Sequence, residues 1–444
     1  EDKVRSAGFS RPLLIVHASG GVARVAKTHA LQTYSSGPAA GLAGASKLAA
    51  LYGLPRVLTA DMGGTSLDVG LVVDGKYSAS LRPQVNGIPL AIPMIGVESL
   101  GAGGGSIARV DHSGRLTVGP ESAGAMPGPA CYDRSGTEAT ITDADVVLRY
   151  IDPDYFLGGR YRLNKERATT AVKEKVAKPL GISVEEAALR MKKQMDEEVG
   201  RRLSHMLAQK GFDGRDFTMF AYGGAGPVHC CGYAEQAGIS KIMSFPFASV
   251  FSAYGASTMD VAHTYIKTKP VRLFDAATGS HLSELDAFNC VVRGLQDRAL
   301  VDMRGEGFKP EEVRFDLDLI IVGDGSDKQW ISSPRVSMEN VGDVELVCEE
   351  CWTKSGGQKN RDVLIQSFML KATAGTTHWD APLHDAQGQD PRGALAGERD
   401  VYWENGSGFT RTNVYRRELL RPGNVVQGPA VVEALDTAMV VPSG

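Results

Sequence analysis

The chain has 444 residues, 43% hydrophobic and 23% charged, an ordinary globular composition with room for two or three domains. Its 48 basic and 52 acidic residues leave a net charge of -4, which gives no reason to expect nucleic acid or an anionic membrane as partner. The longest apolar stretches, such as residues 248–256, are too short to span a bilayer, the charged opening Glu1-Asp2-Lys3-Val4-Arg5 does not read as a signal peptide, and six cysteines make no disulfide framework, so a cytoplasmic location is expected.

Residues 35–41 read as a turn into an Ala-rich helix over 42–52. A strand over 56–60 then runs into Asp61-Met62-Gly63-Gly64-Thr65-Ser66-Leu67-Asp68, and apolar alternation resumes over 69–73, which predicts a hairpin with a glycine turn at its tip. Gly63 and Gly64 leave their N–H groups unshielded, so the turn can wrap a phosphate while Asp61 and Asp68 hold a hydrated cation. Asp and Gly are equally the residues of ordinary hairpin turns, and that alternative stands beside it. The glycine run 101–105, the Pro- and Gly-rich stretch 119–129 and the acidic Thr140-Ile141-Thr142-Asp143-Ala144-Asp145 follow closely. So much loop in one region predicts several loops converging on one cleft. Asp143 and Asp145 suit either a cation or the cap of a helix from Val146.

Over 185–210 the apolar residues recur every three or four positions, an amphipathic helix whose methionines are core packing. Phe220-Ala221-Tyr222-Gly223-Gly224-Ala225-Gly226-Pro227-Val228-His229 begins as a strand and opens a helix to about Gly238. Free N–H groups at that helix start form an anion or nucleotide site, or else a plain strand-to-helix turn. His229 lies one turn into the helix, where it meets a phosphate or packs inside, and His17 beside Gly20 and Gly21 poses the same choice. A helix over 283–305 and an alternating strand over 313–322 lead into short strands divided by Gly, Pro and Asp turns. This predicts an α/β domain over 1–270 and an α+β or mainly β domain over 271–444, the latter holding Trp330, Trp352, Trp379 and Trp403. Cys348 and Cys351 have metal-type spacing without a second pair, so zinc there needs another chain.

The runs 61–70, 100–108, 118–132, 223–229 and 420–433, in that order, resemble the hydantoinase A/5-oxoprolinase family over nearly the whole chain. The resemblance implies an actin/hexokinase-like ATPase fold, in which two ribonuclease-H-like lobes close on ATP, followed by a mainly β C-terminal domain. Within the family, Ile15-Val16-His17-Ala18-Ser19-Gly20-Gly21 and the run 251–265 are similar to the nucleotide-binding subunits of ATP-dependent acetone and acetophenone carboxylases. Members begin with a lobe carrying its own phosphate loop, and no such sequence precedes Asp61. The expectation is therefore a second lobe over 1–270, with the first lobe absent from this chain.

The resemblance also implies ATP and Mg2+ as cofactors, with Zn2+ or Mn2+ open for partner subunits. It gives Asp61 the magnesium ion, gives Gly63, Gly64, Thr65 and Ser66 the β- and γ-phosphates, and sets Asp68 to orient an attacking group or support the loop. Gly223, Gly224 and Gly226 border the nucleoside, Gly103, Gly104 and Gly105 cradle an oxyanion, and His229 joins the catalytic candidates. The implied reaction is phosphorylation of a ketone as its enolate, or of bicarbonate, before C–C bond formation. A hydantoinase B-like subunit and a small third subunit are the implied partners. Two alternatives stay open: an ATP-dependent lactam hydrolase acting on 5-oxoproline or a hydantoin, and a non-catalytic actin-fold scaffold.

Overall fold

A computed structural model describes residues 1–80, 83–85, 87–90, 92–282, 285–322, 328–354, 359–378, 382, 384–404 and 408–443. Trp379, Ser283 and Glu284 lie outside the described residues. The chain forms two units, one from Glu1–Ala39, Ala79–Ile95 and Thr258–His378, the other from Ala40–Ser78, Gly96–Ser257 and Trp379–Gly444. The expected boundary at 270 falls inside the strand Val261–Asp275, which pairs along its length with Val363–Ala374. A cut there would break one continuous ladder, so residues 271–444 are shared between the units. They also carry the helices Asp286–Glu306 and Val341–Lys354 beside their strands.

Among its described residues, the larger unit is organised on a six-stranded sheet in the order Val97–Leu100, Leu67–Val73, Arg56–Met62, Thr218–Tyr222, Lys241–Met243, with Lys76–Tyr77 beside the second strand. The first three strands form an antiparallel meander, and the last two join it in parallel. Parallel neighbours need long crossovers, and the helices Val184–Gln209 and Gly226–Gln236 lead into the two parallel strands. In the long helix, Ser183 caps the start by accepting from the Glu186 N–H, and Met191, Met195, Val199, Leu203 and Met206 are buried as the periodicity requires. This is the mixed sheet of an actin-like ATPase lobe.

The Ala-rich helix starts earlier than expected, at Ser36, because Pro38 sits in a first turn that has no use for its missing N–H. Its small residues do permit close approach: a Cβ on Gly44 would stand 2.6 Å from the Cα of Gly255. The smaller unit is built on a sheet in the order Leu14–His17, Gly21–Arg24, Val261–Asp275, Val363–Ala374, Val313–Val322, Lys328–Ser332, covered by the helix Asp286–Glu306. Cys348 and Cys351 are buried in the helix Val341–Lys354, and among the described residues no three metal-ligating side chains gather. No helix of the described residues is long and apolar enough to cross a membrane.

Candidate functional site

Parallel pairing of Thr218–Tyr222 with Arg56–Met62 sets Tyr222 opposite Asp61. Parallel strands end on one edge of a sheet, so the glycine turns that follow, at 63–66 and 223–226, emerge side by side. Leu100 pairs with Leu67 and delivers Gly103, Gly104 and Gly105 to the same edge. Carboxyl ends of parallel strands are where α/β sheets take their ligands. The glycine run 101–105 of the loop-rich region thus joins the two turns at this edge.

The three loops pack backbone against backbone. A Cβ on Gly223 would lie 2.3 Å from the Met62 carbonyl oxygen and 2.6 Å from Asp61 Oδ1, and its φ of 81° is one that side chains resist. Ala225 N–H donates to the Met62 carbonyl at 3.0 Å. The N–H groups of Gly104 and Gly105 donate to the carbonyls of Gly63 and Gly64 at 3.1 and 2.6 Å, and Gly103 N–H donates to Ser106 Oγ at 2.9 Å. The oxyanion cradle expected at 103–105 is thereby corrected. Those donors are already committed, and the three glycines brace the first turn instead.

Other donors stay open. Gly63 N–H closes its turn on the Ser66 carbonyl at 3.0 Å, whereas the N–H groups of Gly64, Thr65 and Gly224 meet no acceptor among the described residues, and all three residues are exposed. Gly226 begins its helix beside them, where the helix dipole adds partial positive charge. Thr437 holds this turn by donating its hydroxyl to the Gly224 carbonyl at 2.8 Å.

Asp61 and Asp68 are cross-strand partners in the hairpin. Burial, reinforced by the charge of Asp68, pushes the Asp61 carboxyl up to about 6, although Ser252 Oγ donates to it at 3.3 Å. Burial raises Asp68 likewise, with the Ser99 hydroxyl pulling the other way. Carboxylates kept from water and short of donors gain strongly from a cation. The residues present fit a phosphate-bound cation at Asp61 with open N–H groups for its anion.

His229 does not reach this edge. It is buried, its Nε2 lies 3.1 Å from Asp145 Oδ2, and Asp196, bonded to Lys192, belongs to the same buried set. The catalytic expectation for His229 is corrected to a packed helical histidine. Asp145 serves that contact, while Asp143 accepts from Thr140, Ala130 and Cys131 in a capping box for the helix Ile141–Leu148, so neither is placed as a cation ligand. Ser252, Thr437 and Ser106 were not among the sequence candidates; a lone hydroxyl leaves no periodic or glycine signal. His17 belongs to the smaller unit.

Residues 1–265 match the hydantoinase/oxoprolinase family model, and residues 276–444 match the hydantoinase/oxoprolinase C-terminal domain. The acetophenone carboxylase gamma subunit of Aromatoleum aromaticum is 39% identical over 99% of this chain and 61% of its own length. The caprolactamase subunit alpha of Pseudomonas jessenii is 32% identical over 98% of this chain and 63% of its own. The chain thus spans about three fifths of the length of these curated relatives. The nucleotide-free structure of an acetone carboxylase, from work on ATP-dependent acetone carboxylation, superposes with a TM-score of 0.84 at 27% identity, over 100% of this chain and 64% of that one.

Proposed function

The chain belongs to the hydantoinase/oxoprolinase family, and from that premise we propose that it is the nucleotide-handling subunit of an ATP-dependent ketone carboxylase. The observation that carries this reading is the half-buried Asp61 carboxyl, set between two glycine turns whose open N–H groups share one sheet edge. Asp61 would hold Mg2+, and Gly64, Thr65 and Gly224 would meet phosphate oxygens. Bound ATP supplies a phosphoryl group that converts a poor leaving oxygen into a good one. The loops contribute position and charge neutralisation, fixed in advance by the bracing from Gly103, Gly104 and Gly105. Asp68 supports the ionisation balance of Asp61 from across the hairpin.

Relatives named as gamma, beta and alpha subunits support a hetero-oligomer, and we assign a hydantoinase B-like subunit and a small third subunit as partners. We place it in the cytoplasm, since no disulfide joins its cysteines among the described residues. A lactam hydrolase is the second reading, favoured by the ATP-dependent caprolactamase structure at a TM-score of 0.83 and 30% identity. The test is ATP hydrolysis by the purified assembly against acetone, acetophenone, 5-oxoproline and hydantoin. Turnover stimulated by a ketone with bicarbonate supports the carboxylase, and stimulation by a lactam alone overturns it in favour of the hydrolase.

A further inference from the structure

The short helix Phe251–Ser257 belongs to the larger unit, and three separate contacts hold its start beside the glycine turns. Tyr222 stands opposite Asp61 in the parallel register, and its ring stacks on that of Phe251 with centroids 4.1 Å apart. Gly223 N–H donates to the Ala248 carbonyl at 2.9 Å, which ties the turn before the helix to the second glycine turn. The helix also meets Ser36–Leu51 at close range: a Cβ on Gly255 would collide with the Ala40 carbonyl oxygen, and one on Gly41 would stand 3.1 Å from Ser252 Oγ. Together these contacts bring Ser252 to Asp61 from 191 residues away.

The two oxygens of the Asp61 carboxylate are left in unlike positions. An ionised carboxylate only accepts, so Ser252 Oγ donates, and it donates to Oδ2 at 3.3 Å. Among the described residues no other group donates to this carboxylate. Oδ1 lies toward the second glycine turn, where a Cβ on Gly223 would come within 2.6 Å of it. One oxygen is therefore engaged by a hydroxyl, and the other is turned to the loops that carry the open N–H groups of Gly64, Thr65 and Gly224. That difference bears on which cation fits. Magnesium demands a compact octahedral shell, which a carboxylate joins through one oxygen, whereas calcium is larger, accepts a looser shell and readily takes both oxygens of one carboxylate.

We propose that Ser252 is a positioning residue that sets the metal specificity of this edge: it holds Oδ2 of Asp61, leaves Oδ1 alone for the nucleotide-bound cation, and so favours magnesium over calcium. Loss of the hydroxyl frees both oxygens. The fixed orientation that magnesium needs is then gone, and the two-oxygen grip that calcium takes becomes open to it. The choice between metals rests on the nucleotide reading above.

The experiment is calorimetric titration of the purified assembly with ADP as its magnesium complex, as its calcium complex, and with the cation chelated by EDTA. Wild type binds the magnesium complex more tightly than the calcium complex. Ser252→Ala, a change that a helix tolerates, weakens the magnesium complex about tenfold and the calcium complex little, so the preference falls about tenfold. Ser252→Thr restores the hydroxyl and with it the wild-type preference. A packing role would give the opposite order, because Thr alters the volume at this position more than Ala does. Equal weakening of both complexes in Ser252→Ala, or no weakening of either, overturns the proposal. Nucleotide binding that persists unchanged in EDTA overturns the nucleotide reading along with it, whereas cation-dependent binding with an undiminished preference in Ser252→Ala overturns this proposal alone.

Discussion

Asp61 and Asp68 face each other across the hairpin, and burial raises the carboxyls of both. A folded protein that keeps two such acids together without a bound cation holds them at a cost. That cost is recovered when a cation arrives, which links stability, pH and ligand binding through one residue.

Asp61→Asn should therefore stabilise the ligand-free protein. The folded carboxyl titrates at about 6 against an ordinary 3.8, so between these values the folded state keeps a proton that the unfolded chain has released. Ligand-free stability falls as pH rises through that window, by up to about 3 kcal/mol at neutral pH. Urea unfolding at pH 7.5 should show the asparagine variant more stable by about 1–3 kcal/mol, a gain that shrinks toward pH 5. An equal gain at both pH values would detach the effect from titration.

Cation-dependent nucleotide binding should weaken in acid, because the cation needs Asp61 ionised. Calorimetric titration with a magnesium–nucleotide complex should give a flat affinity above about pH 7 and a decline toward tenfold per pH unit below 6. An affinity constant down to pH 5 would remove Asp61 from the binding site.

Gly223→Ala and Gly224→Ala should behave differently although the residues are neighbours. The first meets the Met62 carbonyl oxygen at 2.3 Å, whereas the second meets nothing within 4 Å. We expect Gly223→Ala to lose about 1–3 kcal/mol of stability together with nucleotide affinity, and Gly224→Ala to melt within a few degrees of wild type. Thermal melts with and without nucleotide make the comparison.

His229→Leu should be a stability variant. Removing the ring strands Asp145 in the interior, where loss of one partner of a buried pair costs about 3–5 kcal/mol. Activity per folded molecule should stay near wild type when corrected for the folded fraction measured by circular dichroism. A stable protein with no turnover would return His229 to the reacting groups.

The hairpin was legible in the sequence because alternation and a Gly-Gly turn are local properties. So was the helix over 184–209, whose buried methionines carry the period themselves. The side-by-side placement of Asp61 and Tyr222 was not, since parallel register is set by crossovers that leave no local mark. The role of Gly103, Gly104 and Gly105 was misread for a related reason: whether an N–H is free depends on the carbonyl that a distant turn presents to it. Ser252 reaches Asp61 across 191 residues, and a single hydroxyl announces nothing at that separation. The chain leaves each unit and returns to it, and composition shifts register only linear order, so the two compact units were not legible, whereas the boundary at 270 falls between the family matches over 1–265 and 276–444.

The most direct measurement is ketone- and bicarbonate-stimulated ATP hydrolysis by the purified assembly, compared between wild type and Asp61→Ala. The account predicts substrate-dependent hydrolysis in wild type and a loss of about a hundredfold or more in a variant that still folds and assembles. Full hydrolysis by Asp61→Ala would contradict it.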